Sequence, residues 1–494
     1  MSRTNLLISL SIAIFVALMG VLLVPIESPW SYNTDEAIEF SRLFHTSLGF
    51  RLYSQVWSDH PPGWTWLLHL WSSIFGISLF ASKGLALLLA AAAMVAFYWI
   101  LRLFFDQMSA VFGILLFSST ARFLPAISSV TIDMPSLDLS LLGMAFFLYG
   151  LKGGSRWLVG LSGIFFAYAM TIKFFAVLPI FSLFVCSGLL AKHLGGHKHL
   201  KLRWLWLSVT VIGFALLMLT YWPFPYYHLV QFHTNARKFL ASETLLKLFQ
   251  RAFKTDVAFL LVSLASILLL LTRFKNQIWR VAVPVVWLGL MLVQFSVQRP
   301  VWWIYYPLIA LPLTWIACLP FSQFLSQLRD ARLNSIKKLQ FFLPMILLIF
   351  WLLPIGQAYL RYFKEDAVLI ANFRSNPTLL PQQELLDSVL QFSKNNKWIL
   401  TDDAMYAVQS QTPIPPEVAV MSAKRLLAEQ LKDEFFIEII SRYRPEQIVW
   451  VRFTDLLKRP ALQQALQREG YQSVPTPNSS MLHYVRADIL TKKQ

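Results

Sequence analysis

The stretch LLISLSIAIFVALMGVLLVPI, residues 6–26, contains no charged side chain and no amide. Twenty-one such residues in a helix reach about 30 Å, the thickness of a bilayer's hydrocarbon core. The run is longer than the apolar segment of an export signal, and no small-x-small cleavage pattern follows it, so it reads as a retained membrane helix. Further runs, charge-free except for Asp138, lie near residues 84–101, 107–121, 134–151, 157–172, 174–191, 204–222, 257–272, 281–298, 304–320 and 339–356. The pattern predicts an α-helical polytopic membrane protein with about eleven spans. A shorter stretch near 64–80 carries Trp64, Trp66 and Trp71 and suits the lipid–water interface.

Composition agrees with this reading. Of 494 residues, 56% are hydrophobic and only 14% charged, and that deficit is concentrated in the runs. The formal net charge of +17 would suggest nucleic acid on a soluble chain. Here Lys152, Arg156, Lys192, Lys198, Lys201, Arg203, Arg273, Lys275, Arg280, Arg329, Arg332, Lys337 and Lys338 fall in short loops on one side of an eleven-helix topology. That is the positive-inside pattern, and it excludes nucleic acid as the expected partner. It puts the N-terminus inside and residues after 356 outside. The loop from Pro223 to Asp256 departs from the rule, with Arg237, Lys238, Lys247, Arg251 and Lys254 on the outer side. The two cysteines, Cys186 and Cys318, both lie in apolar runs and imply neither a disulfide framework nor a metal site.

From about residue 357 the chain becomes an ordinary soluble mixture. Residues 1–356 therefore read as the membrane domain and 357–494 as a small extracytoplasmic α/β domain. Strands are expected at Lys397–Thr401, Gln447–Val451 and Met481–Val485, with helix through much of Glu417–Tyr443.

Chemistry concentrates in the expected outer loops. The first reads Tyr32-Asn33-Thr34-Asp35-Glu36-Ala37. The residues after it, to about Phe50, place Ala37, Phe40, Phe44 and Leu48 on one helical face and Glu36, Glu39 and Arg42 elsewhere, the form of a helix lying on the membrane surface. Asp35 falls in its first turn, where the helix dipole favours an ionised carboxylate able to accept a proton. Capping by Asn33 with Glu36 is the structural alternative. The loop ends Ser58-Asp59-His60-Pro61-Pro62-Gly63-Trp64, where two prolines stop any helix and fix the pose of Asp59 and His60. The second outer loop, Ser129-Val130-Thr131-Ile132-Asp133-Met134-Pro135, begins a membrane helix with an acid, and Asp138 follows one turn deeper. Ionisable groups at membrane depth are costly and usually functional, although Asp133 also suits a helix N-terminus. Lys173 interrupts an apolar stretch from Trp157 to Ala191, either at a tight turn or as a phosphate partner. Lys83, Arg122 and Arg299 occupy similar outer positions.

The order Asp35-Glu36, then Asp59-His60-Pro61-Pro62, then Asp133 resembles the C-type membrane glycosyltransferases related to protein O-mannosyltransferases and to the aminoarabinose transferase of lipid A, glycosyltransferase family 39. Thr401-Asp402-Asp403, Pro415-Pro416-Glu417 and Lys424-Arg425 resemble the outer domain of bacterial members. The resemblance implies a polyprenyl-phosphate monosaccharide donor, a lipid, glycan or protein acceptor, and transfer with inversion at the outer face of the plasma (inner) membrane. It makes Asp35, Glu36 and Asp133 catalytic, with Asp35 the base. It gives substrate binding to Asp59, His60, Lys83, Arg122, Lys173, Arg299 and Tyr305. His60 stands where the aminoarabinose transferase has Lys, and Trp302-Trp303-Ile304-Tyr305-Tyr306 lacks the family's His-Tyr pair. The leaving phosphate needs positive charge, from Lys173, Arg299 or a divalent cation, for which the sequence offers no dedicated cage. Asp35, Glu36, Asp59, His60 and Asp133 are expected to converge on one cavity. The rival classes are a membrane transporter or lipid flippase, against which stands the lack of an internal repeat, and a non-catalytic glycosyltransferase-like subunit.

Overall fold

The computed structural model describes residues 3–28, 30, 34–222, 226–232, 242–333, 338–375, 381–394 and 396–491. Tyr32, Asn33, Pro223, Arg237, Lys238 and Lys337, used in the sequence reading, lie outside the described residues. In chain order the first helices are α1 Arg3–Leu23, α2 Thr34–Ser47, α3 Gly63–Phe75, α4 Leu79–Phe104, α5 Gln107–Ser118, α6 Phe123–Ile127, α7 Asp133–Gly153, α8 Arg156–Ile172, α9 Val177–His193 and α10 Leu202–Leu219. Long apolar helices follow to Arg361.

All eleven predicted runs are helical, but they differ in their fitness to cross a bilayer. Among the described residues eight helical stretches are long and apolar enough: Arg3–Leu23, Leu79–Phe104, Asp133–Gly153, Phe174–His193, Leu202–Leu219, Lys275–Val297, Trp303–Arg329 and Met345–Lys364. Leu245–Thr255 and Val257–Thr272 make a ninth only as a pair bent by 112°. The other two, α5 and α8, have 12 and 17 residues. They reach roughly 18 and 26 Å, short of the roughly 30 Å core. The chain is a multi-pass integral membrane protein.

Chain contacts divide it into two compact units. The first comprises Met1–Ile26, Gly84–Thr220 and Leu240–Ile370. Its helices pack through small residues, as helices in lipid do. A Cβ on Gly163 of α8 would stand 3.0 Å from the Trp206 carbonyl oxygen and 2.8 Å from Val209 of α10, so the two helices meet at backbone distance. On the other flank of α8, Ser162 donates to the Gly143 carbonyl of α7 at 2.6 Å.

The second unit comprises Glu27–Lys83, Tyr221–Phe239 and Ala371–Gln494. Its four-stranded sheet runs in the order β1 Ile399–Thr401, β2 Gln447–Trp450, β4 Leu482–Arg486, β3 Tyr471–Val474. β1 and β2 are parallel and the other two pairs antiparallel. Three strands match the sequence expectation, and β3 is additional. Within the same unit, α3 has 13 residues and cannot span. It exposes Leu70, Ile74 and Phe75, as an interfacial helix would, yet Trp64 is wholly buried.

One expectation is overturned here. The charged face of α2 does not face water: Glu36, Glu39 and Arg42 are buried, and Leu48 is exposed. Polar groups at depth need partners, and for Ser41 and His45 of the same helix the C-terminal segment supplies them. Ser41 donates to the Ala419 carbonyl at 2.6 Å, and the His45 ring Nε2 lies 2.9 Å from the Ile414 carbonyl oxygen.

Candidate functional site

The candidate residues fall into two groups, one in each unit. In the second unit Asp35 lies in the first turn of α2 and is exposed, while Glu36 beside it is wholly buried. Lys83 is also buried. Its ammonium points to the carbonyls of Ser28 and Trp30, 3.5 and 3.3 Å away, within the fields of Glu36 and Glu27. Asp35 acts electrostatically on Arg452, which follows β2. Burial lowers that guanidinium from its ordinary value, and Asp402, Asp403 and Asp35 pull it back up. Asp402, directly after β1, accepts the backbone N–H groups of Val451, Arg452 and Phe453 at 2.9, 2.8 and 2.7 Å, which fixes the loop that carries Arg452.

The Asp59-His60 motif is the end of a tight turn. Tyr53 has a left-handed backbone, φ 67°, and its hydroxyl donates to the His60 carbonyl at 2.7 Å. Pro62 then opens α3, whose first residue is Gly63. This turn delivers Asp59 into a buried ion cluster. Arg42, 1% exposed at its side chain, gives Nη1 to Glu39 at 2.5 Å and Nη2 to Asp59 at 3.0 Å. The His60 Nε2 lies 3.5 Å from the same Asp59 oxygen, and Lys424 Nζ lies 3.6 Å from the other. Sequence reasoning placed Arg42 on an exposed face and gave Lys424 no role. Glu39 is one turn from Arg42, but Asp59 lies 17 residues on from Arg42 and far from Lys424 in sequence, so no local pattern could join the group.

Glu39 has a measurable consequence. Burial pushes its carboxyl up to about 7, overriding the pull of Arg42. The folded protein then holds a proton that the unfolded chain releases above an ordinary glutamate value of about 4.3. Its contribution to stability is complete below the unfolded value and disappears as pH rises through about 7. The melting temperature of the parent in detergent should therefore fall over this window relative to Glu39→Gln, which cannot titrate. Parallel curves for the two proteins would contradict the assignment.

In the first unit Asp133 opens α7 and pairs with Lys173, both nearly buried. Lys173 is extended between α8 and the turn Phe174–Ala176. Ser136 ties α7 to this connection through the carbonyls of Ala169 and Lys173, at 3.1 and 3.2 Å. The ammonium lies 4.4 Å from the centre of the Tyr305 ring and 5.0 Å from that of Phe175, so its charge is met by one carboxylate and two aromatic faces. Arg122 precedes α6. Burial lowers its pKa, and the field of Asp133 raises it. Arg299 has another engagement: its Nη1 donates to the carbonyls of Phe295, Ser296 and Gln298, closing the end of helix Ala282–Val297. Sequence reading did not single out Asp256 as a ligand. Its carboxylate accepts the Ala121 N–H at 3.1 and 2.8 Å, a structural role. Among the described residues no three His, Cys, Asp or Glu side chains gather as a metal site.

The geometry is that of a membrane protein with buried ion pairs, and comparison with known proteins identifies the fold. The family described as dolichyl-phosphate-mannose-protein mannosyltransferase matches residues 59–222. ArnT from Cupriavidus metallidurans bound to undecaprenyl phosphate superposes with a TM-score of 0.64 at 13% identity, covering 99% of each chain. The apo state of ArnT gives the same score at 15% identity. AglB, the archaeal oligosaccharyltransferase from Archaeoglobus fulgidus, in complex with an inhibitory peptide and a dolichol-phosphate, gives 0.57 at 12% identity, over 97% of this chain and 74% of its own. No curated protein sequence matches the chain. The fold is thus the one shared by ArnT and AglB, and residues 59–222 carry the sequence pattern of the mannosyltransferase family.

Proposed function

We propose that this protein is a glycosyltransferase that moves a monosaccharide from polyprenyl phosphate to a lipid, glycan or protein acceptor at the extracytoplasmic face of the plasma membrane. The observation that carries the reading is fold agreement, over nearly the whole chain, with an ArnT structure that holds undecaprenyl phosphate. The family pattern on residues 59–222 supports it. In this reading residues 1–356 carry the transfer chemistry, and the chain beyond the last spanning stretch, Met345–Lys364, lies outside the membrane.

The acceptor oxygen attacks the anomeric carbon from the side opposite the phosphate. The carbon–oxygen bond to phosphate breaks, and its electron pair leaves with the phosphate, so configuration inverts. Asp35 takes the acceptor's proton, since an exposed carboxylate in the first turn of a helix lies within reach of an acceptor hydroxyl. Glu36 and Asp133 are the further acids of the machinery. Lys173, Arg122 and Arg299 of the first unit and Lys83 of the second are the proposed cations, and electrostatic stabilisation of a leaving phosphate is usually the largest catalytic term. Asp59, His60 and Tyr305 contact substrate. A divalent cation is compatible with this chemistry, and no step depends on one.

The decisive assay gives the purified protein radiolabelled polyprenyl-phosphate sugars one at a time and follows label into acceptor. A transferase forms product and releases polyprenyl phosphate, whereas a flippase moves the donor across the bilayer intact. Failure to transfer from every donor would remove this reading. Sidedness has its own test. Ser479→Cys should react with an impermeant maleimide on intact cells, and Lys275→Cys only after permeabilisation. The reverse pattern would place the distal segment inside.

A further inference from the structure

We infer that Lys424 is a positioning residue for the Asp59-His60 motif, so that the C-terminal segment completes the first-loop substrate site. This inference rests on the transferase reading and goes beyond it, because that reading gives residues after 356 no part in the chemistry.

The argument begins with how Lys424 is held. It lies on the short helix Ala423–Leu427, whose N-cap Ser422 accepts the Arg425 N–H at 3.3 Å. Arg425 itself is buried. Its Nη1 donates to the carbonyls of Glu417 and Val420 at 3.1 and 2.7 Å, and its guanidinium stacks 4.9 Å from the centre of the Trp57 ring. Trp57 is two residues before Asp59. Arg425 thus clamps the helix onto the first loop, and the neighbouring lysine reaches the acid.

Burial separates this ion pair from ordinary surface pairs. The side chains of Lys424 and Asp59 are 17% and 7% exposed, against 58% and 74% for Lys432 and Glu429 on the same segment. Exposed pairs contribute little, while a pair shielded from water depends on its partner. The division of Asp59 also matters. One oxygen faces Arg42 and His60, and the other faces Lys424. Without Lys424 the carboxylate is free to turn toward Arg42, and His60, the more exposed member of the group, loses the oxygen that orients it. Lys424 therefore acts through Asp59 and His60 and need not touch substrate itself.

The test uses the full-length protein in lipid nanodiscs with an active donor. Lys424→Met keeps the stem and removes the charge, and Lys424→Arg keeps the charge. We expect Lys424→Met to raise the KM for donor about tenfold with kcat within about twofold, and Lys424→Arg to restore most of that loss. The loss should largely vanish when Lys424→Met is made in an Asp59→Asn background, because both changes break one interaction. A KM equal to the parent's, or the same loss with Asp59→Asn already present, would overturn the role of Lys424 alone. If Lys424→Met lowers the melting temperature without a change in KM, the lysine is merely structural. A parent that neither transfers sugar nor binds undecaprenyl phosphate would instead overturn the transferase reading and this inference with it.

Discussion

Asp35→Asn should lower sugar transfer at least about a hundredfold while leaving protein level and donor-lipid binding unchanged. Positioned acid–base groups contribute about 10²–10⁴-fold, and this substitution removes the negative charge and the basicity while keeping the size. Asparagine matches aspartate in size and is as good at a helix start. Asp35 is exposed, so no packing is disturbed. The neighbouring Glu36 offers no such clean test, because its side chain is buried and its loss would disturb the interior. Activity should be read as kcat and KM separately. A base acting only in the transition state lowers kcat and kcat/KM together. If Asp35 serves only the helix N-terminus, the asparagine variant transfers sugar at close to the parent rate, and the base role passes to Glu36 or Asp133.

The helices were legible because the bilayer writes itself into sequence as long charge-free runs, and every such run is helical. What those runs do not report is length in three dimensions. Residues 107–121 and 157–172 read alike as runs, yet the helices there, α5 and α8, have 12 and 17 residues, so α5 falls well short of the hydrocarbon core and α8 sits at the lower limit for a crossing. The strand β3 was missed because Tyr471–Val474 is four residues long and half exposed, with only Gly470, at φ 78°, as a local signal. The candidate acids were legible for a simple reason: a carboxylate that begins an apolar helix stands out. Asp133 and Lys173 are both visible in that way, and the structure joins them. The face of α2 was misread for the opposite reason. Helical periodicity sorts residues by polarity, and it cannot know that Asp59, 17 residues further on, will meet Arg42, or that the carbonyls of Ala419 and Ile414 will meet Ser41 and His45. Arg299 shows a related limit. Its charge and position mark it as a phosphate partner, and no sequence pattern shows that its Nη1 also closes its own helix.

Arg42→Met should cost about 3–5 kcal/mol of stability, the usual penalty for removing one partner of a buried ion pair. Arg42 holds both Glu39 and Asp59, through separate nitrogens of a single planar group. Methionine nearly fills the volume, so the loss is electrostatic and not a cavity. Two carboxylates then face each other in a site that water does not reach. The buried acid's simplest escape is to take up a proton. Glu39 already leans that way, with burial raising its carboxyl to about 7, and loss of the neighbouring cation drives it further. The destabilisation should therefore be greater at pH 8 than at pH 5, where a protonated Glu39 is neutral. Adding Glu39→Gln and Asp59→Asn to Arg42→Met should recover much of the loss, since neutral partners leave no charge uncompensated. A lysine in place of Arg42 should not, because one ammonium cannot supply the fork that spans both acids. Melting temperatures of the purified variants in detergent at the two pH values would read all of this. If Arg42→Met melts with the parent at pH 8, the three charges do not form the buried network described, and the charged face of α2 is open to water after all.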